Sequence, residues 1–173
     1  DWDSVPDFDL FTYSSPCQDF STAGLQKGGA EGSGTRSSLL WECRRAIVAK
    51  RPAYCMLENV KALVSKKFLP LFQKWCDELD GYGYTNYWQV LNAKDYGVPQ
   101  NRERVFLISV RKDMADGFPY GYKFPKPFPL ERHLEDVLEP ECDVPRSYYI
   151  SEKSKAYFSE HCDIDMIKLL GDV

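Results

Sequence analysis

Three short polar stretches and one glycine-rich run hold the side chains best suited to chemistry. The stretches are Pro16-Cys17-Gln18-Asp19-Phe20-Ser21, Glu58-Asn59-Val60 and Gln100-Asn101-Arg102-Glu103-Arg104. Between the first two, Gly24, Gly28, Gly29, Gly32 and Gly34 make up five of the chain's 11 glycines, the texture of a linker or of a mobile functional loop. A thiol, a carboxyl and paired guanidiniums suit nucleophilic thiol chemistry with proton transfer. Singly each stretch has a bland reading: a structural Cys at a strand end, a solvated Glu, an exposed salt-bridging Arg-Glu-Arg patch. Their coincidence in this order is improbable. Redox chemistry at Cys17 finds no nearby resolving Cys, and the glycine run lacks the GxxxxGK[ST] spacing of a phosphate-cradling loop.

Positioning these residues requires a sheet. Residues 8–15 read as a short apolar strand stopped by Pro16. Leu39, Leu40, Cys43 and Ile47 recur at helical spacing over 36–50, with Arg44, Arg45 and Lys50 on the other face, and Pro52 ends that helix. Residues 53–57 form a buried strand that delivers Glu58-Asn59-Val60 at its C-terminal end. Phe68, Phe72, Trp75 and Leu79 make a second amphipathic helix, closed by Gly81. Runs 85–93 and 104–112 suit an antiparallel pair. The order strand–helix–strand–helix–strand–strand points to an α/β doubly wound sheet, whose ligands sit beyond the carboxyl ends of its strands. Cys17 and Glu58 each follow such an end and should face one crevice.

After Asp113 the texture changes to prolines interleaved with aromatics. The expected division is therefore 1–113, with the three polar stretches, and 114–173, a connector leading onward that contains a short helix near Leu134 and a weakly amphipathic stretch over 151–170.

The chain has 173 residues, 22 Lys+Arg and 26 Asp+Glu, net −4, with 43% hydrophobic and 14% aromatic residues. That composition argues against disorder and fits one domain or most of one. Residues 1–130 carry 17 basic and 15 acidic groups (+2) and residues 131–173 carry 5 and 11 (−6), so net charge offers no support for nucleic-acid binding. No apolar run is long enough to span a membrane, and the start lacks the features of a signal peptide. Six cysteines without a CxxC pair, and only two His, make a zinc site improbable and suggest a reducing compartment; Cys43, Cys55 and Cys76 read as buried free thiols.

Taken together, PCQDFS at 16–21, ENV at 58–60 and QNRER at 100–104 resemble the DNA (cytosine-5) methyltransferase family, with further similarity in 24–29 and 91–106. The resemblance covers residues 5–140. It implies that Cys17 adds to C6 of a cytosine flipped from double-stranded DNA, that Glu58 handles a proton at N3, that Arg102 holds O2, and that Arg104 braces the site. It further implies substrate contacts from Pro16, Gln18, Ser21, Asn59 and Gln100, a phosphate contact from Lys27, and contacts from Pro16 and Leu39 to the methyl donor, S-adenosylmethionine; no metal is implied.

The fold expected is part of a doubly wound, Rossmann-like methyltransferase sheet lacking its first strands, inactive alone and prone to self-association through an exposed sheet edge. A cytoplasmic, bacterial or phage-encoded protein fits. Alternatives are a split-enzyme or non-catalytic DNA-binding half that needs a partner chain, and a tRNA cytosine-5 methyltransferase.

Overall fold

The computed structural model describes residues 2–17, 19–20 and 28–161. The chain divides into two compact units, residues 1–132 and 133–173. The first contains strands β1 (Leu10–Tyr13), β2 (Tyr54–Val60), β3 (Tyr84–Asn92) and β4 (Glu103–Arg111), and helices α1 (Leu40–Lys50) and α2 (Leu69–Gly81). Its sheet runs in the order β1-β2-β4-β3: β1 is parallel to β2, while β2–β4 and β3–β4 are antiparallel. The expected hairpin is therefore present, and the connection from β1 through α1 to β2 is the parallel crossover of an α/β sheet.

Alternation along the strands explains the layers. Cys55, Leu57 and Asn59 of β2 lie opposite Ser109, Leu107 and Val105 of β4, and all six are buried. Helix α2 covers this face with Phe72, Trp75, Cys76 and Leu79, and α1 adds Leu40, Trp41 and Ile47. Trp75 joins the layers: its ring meets Trp41 edge-on at 5.6 Å, and its Nε1–H donates to the Tyr13 hydroxyl at 2.9 Å. Cys55 and Cys76 are buried free thiols, as expected, whereas Cys43 is half-buried. On the opposite face the proline–aromatic segment lays Phe118 against Tyr54 and Tyr122 against Tyr87, both at 6.1 Å.

Three element boundaries differ from expectation. β1 forms only over Leu10–Tyr13; beyond it Ser14 Oγ and the Ser15 carbonyl bond to side chains of β2. The first turn expected of α1 is a tighter 3-10 turn, Arg36–Leu39. Glu58-Asn59-Val60 do not follow β2 but form its last three residues, paired with Phe106, Val105 and Arg104. The strand runs past its expected end because those three residues continue the β2–β4 ladder.

The second unit contains 3-10 turns at Leu134–Val137, Glu141–Asp143 and Arg146–Tyr148 and helix α3 (Glu152–His161). Its first turn is capped reciprocally by His133 and Asp136. Among the described residues, no helix is long and apolar enough to cross a membrane, and no cluster of three or more His, Cys, Asp or Glu could hold a metal.

Candidate active site

Cys17, half-buried, follows β1 in a turn closed by the Phe20 N–H donating to the Cys17 carbonyl at 3.0 Å. The residues on either side of it are anchored. Upstream, buried Asn59 donates through Nδ2 to the Ser15 carbonyl at 3.0 Å and to Ser15 Oγ at 3.2 Å, while its Oδ1 accepts from the Val60 N–H at 2.9 Å. Asn59 was expected to touch substrate. With 1% exposure and its amide committed to Ser15, it acts instead as a peg between β2 and the strand end that leads to Cys17.

From the other side, Ser37 has 0% exposure. Its hydroxyl donates to the Pro16 carbonyl at 2.5 Å and accepts from the Asp19 N–H at 3.3 Å, and its own N–H donates to Asp19 Oδ2 at 3.2 Å. The foot of the glycine-rich loop is stitched by Gly28 N–H to the Asp19 carbonyl (2.9 Å), Thr35 Oγ1 to the Gly28 carbonyl (2.8 Å) and Trp41 Nε1 to the Gly29 carbonyl (2.8 Å). Gly29 has no room for a side chain: a Cβ there would lie 2.7 Å from the Phe20 ring and 2.8 Å from the Ser37 carbonyl.

Glu58 lies on β2 beside this strand end. Its Oε1 accepts from Arg104 Nε at 3.1 Å and its Oε2 from Ser14 Oγ at 3.3 Å, with both side chains partly exposed. Ser14 is three residues from Cys17, so the carboxylate and the thiol-bearing turn share one strand end. Arg104 belongs to this cluster through its pair with Glu58. It also borders an open cleft of about 690 Å³ with Phe20, Val60, Phe68, Lys61 and Glu103, the last two ion-paired at 2.8 Å.

Arg102 and Gln100 are exposed on the β3–β4 connection. Asn92 organises that connection: its Oδ1 accepts from the backbone of Lys94 (3.4 Å) and Arg102 (3.0 Å), and its Nδ2 donates to Asn101 Oδ1 at 2.7 Å. Among the described residues the Arg102 guanidinium forms no ion pair or side-chain hydrogen bond, unlike that of Arg104. Leu39 ends the 3-10 turn that begins at Arg36, and its side chain is 51% exposed despite being apolar. Pro16 and Leu39 are thus linked through Ser37. Gln18, Ser21 and Lys27 lie outside the described residues. Sequence reasoning missed Ser14 and Ser37; Ser37 falls inside the helix expected over 36–50, and nothing local distinguishes a clasp that reaches 21 residues back.

The chain is similar to several known proteins. The family profile of the C-5 cytosine-specific DNA methylases matches residues 1–164. The type II methyltransferase M2.ScrFI of Lactococcus lactis subsp. cremoris is 50% identical over 146 residues, covering 84% of this chain and 39% of that protein. The orphan methyltransferase M.SssI of Spiroplasma monobiae is 46% identical over 127 residues, 71% of this chain and 33% of that protein. In fold, the chain superposes on the Entamoeba histolytica methyltransferase EhMeth with a TM-score of 0.65 at 19% identity, covering 87% of this chain and 44% of that one. The chain therefore spans less than half the length of these relatives.

Proposed function

The chain belongs to the C-5 cytosine-specific DNA methylase family, and from that premise we propose that it carries the thiol-bearing part of an enzyme methylating C5 of cytosine in double-stranded DNA. The observation that carries this reading is the shared strand end, where Glu58 is held by Arg104 and Ser14 while Asn59 pegs the backbone running into Cys17. C5 of cytosine is a poor nucleophile until a thiolate adds at C6. Cys17 makes that bond, and the electrons of the C5–C6 double bond move toward C5 and N3. Glu58 shares a proton with N3, Arg104 fixes the carboxyl, and Arg102, whose guanidinium no described side chain engages, holds O2. Once C5 carries the methyl group, a base removes the C5 proton and Cys17 leaves by β-elimination. The base must leave the duplex to reach such a thiol.

The methyl donor implied is S-adenosylmethionine, which when bound supplies a methyl group made electrophilic by its sulfonium. Leu39 fits an apolar contact to it, being exposed where burial would otherwise be expected, and Pro16 stands on the same clasped turn. These are the only described positions matching the family's donor contacts, so we expect the 173 residues alone to bind the donor poorly and not to turn over. Measured turnover by that chain would overturn this. Self-association is also expected: β1 pairs on one side only among the described residues, and its Leu10 is 56% exposed. A monodisperse monomer in light scattering would refute it.

The test of the chemistry is adduct formation by the full-length protein on duplex DNA carrying 5-fluorocytosine, where fluorine blocks the final elimination. A covalent complex lost on Cys17→Ser supports the reading. A complex that persists in that variant refutes it.

A further inference from the structure

We propose that Ser37 is a positioning residue for Cys17: one buried hydroxyl clasps the turn on both sides of the thiol and so sets the direction from which it attacks. The proposal rests on the reading of Cys17 as nucleophile. A serine hydroxyl has one proton and two lone pairs. Here the proton goes to the Pro16 carbonyl at 2.5 Å, a lone pair takes the Asp19 N–H at 3.3 Å, and the backbone N–H of Ser37 grips Asp19 Oδ2 at 3.2 Å. The Pro16 carbonyl belongs to the peptide unit that carries the Cys17 nitrogen, so holding it fixes the plane from which the Cys17 Cα projects. Pro16 itself has a locked φ, and the Cys17 carbonyl is occupied by the Phe20 N–H at 3.0 Å. Both backbone torsions of Cys17 are thereby bounded by groups other than its own side chain.

A purely structural serine would bond within its own helix or across its own sheet. Ser109 does so: with 0% exposure, it donates to Asn86 Oδ1 across β3–β4 at 2.6 Å. Ser37 spends its hydroxyl and its N–H on residues 16 and 19, which flank Cys17 at a distance of 18 to 21 residues along the chain. The same 3-10 turn presents Leu39, so the clasp also ties the thiol to the face expected to meet the methyl donor.

Ser109 supplies the matched control, a buried serine with an equally short bond that touches no residue of the site. In the full-length protein, single-turnover adduct formation on 5-fluorocytosine duplex with the methyl donor present is measured per active site, using the trapped plateau as the count of active sites, and DNA affinity is measured by fluorescence anisotropy. Ser37→Ala is expected to slow the rate constant about ten- to a hundredfold at unchanged DNA affinity, the cost of a misplaced reacting group. Ser109→Ala is expected to lower the plateau or the melting temperature but leave the rate constant within about twofold. Equal slowing by both variants, or none by Ser37→Ala, overturns the proposal and leaves the Cys17 reading intact. Absence of any adduct from the unmodified protein overturns that reading, and this one with it. Should Ser37→Ala fail to fold, the pair at Asp19 decides: Asp19→Asn keeps an oxygen acceptor for the Ser37 N–H and should stay near the native rate, whereas Asp19→Ala should be slowed. Identical rates for the two refute the clasp.

Discussion

Replacing Asn59 tests whether the thiol-bearing turn is anchored from β2. Asn59 is 1% exposed and Ser15, which receives both bonds from its Nδ2, is 4% exposed. Asn59→Ala strands the Ser15 carbonyl and Ser15 Oγ away from water and leaves a side-chain-sized hole. Each orphaned buried group costs about 1–3 kcal/mol, so the two together cost about 2–6 kcal/mol, a large part of an ordinary domain's ~5–15 kcal/mol. Asn59→Asp keeps the shape but turns a carboxylate toward the Ser15 carbonyl, acceptor against acceptor. Its deficit at neutral pH should match or exceed that of alanine.

The pH dependence of the aspartate variant has a definite sign. Only the protonated carboxyl can donate to Ser15, and burial also disfavours the charge, so the folded state raises its pKa above the unfolded value of about 3.9. Stability relative to the native protein is therefore fullest below that value and is lost as pH rises through the folded one. Urea unfolding of variant and native protein, compared at about pH 4 and about pH 7, reads the difference directly. An Asn59→Asp protein within about 0.5 kcal/mol of native at pH 7, the range of an ordinary surface change, would refute the anchor.

Arg104→Ala removes a partly exposed pair at 3.1 Å and should cost only about 0.2–1 kcal/mol of stability. Its adduct rate should nonetheless fall about tenfold or more, because Glu58 loses its brace, and single-turnover trapping checks this. Gly29→Ala forces a Cβ against the Phe20 ring and the Ser37 carbonyl and should destabilise by about 1–3 kcal/mol, seen as a lower melting temperature. Burial pushes Cys43 up to about 11 and Cys55 and Cys76 up to about 12. These thiols stay neutral in the fold to higher pH than in the unfolded chain, so the stability they contribute is whole below about 8.5 and is lost as pH climbs through 11 and 12. The urea midpoint should fall across that window. Alkylation of the native protein at about pH 8 should label exposed Cys142 and spare these three, and rapid native labelling of Cys55 or Cys76 would contradict their burial.

The elements legible in the sequence are those whose burial repeats at a fixed period. Phe72, Trp75 and Leu79 lie on one stripe of α2, and the two β-like runs meet as β3 and β4 within a residue of expectation. Where a second force acts, the period misleads. The polar pair Glu58-Asn59 looks like the end of a strand, yet β2 runs through it because Asn59 faces a buried anchor and Glu58 an ion pair. Pattern alone cannot tell a polar residue leaving the sheet from one whose partner arrives from elsewhere. The start of α1 differs from expectation in a related way: Ser37, inside the expected helix, is engaged with Pro16 and Asp19, and residues 36–39 form a 3-10 turn.

The same division runs through the site. Cysteine, glutamate and arginine announce themselves because their chemistry permits few substitutes, so short strings around them are recognisable without a structure. Their supports are serine and asparagine, residues that could stand in any turn, and only distance in space gives them a role: Ser37 to Pro16 across 21 residues, Asn59 to Ser15 and Ser14 to Glu58 each across 44. On the proposed function, a thiol attacking a ring carbon depends on angle as much as on ionisation, and the backbone on either side of Cys17 is held by these supports rather than by the string that contains it. A protein that kept PCQ, ENV and the two arginines but lost Ser37 and Asn59 would, on this argument, retain every recognisable feature and lose most of its rate.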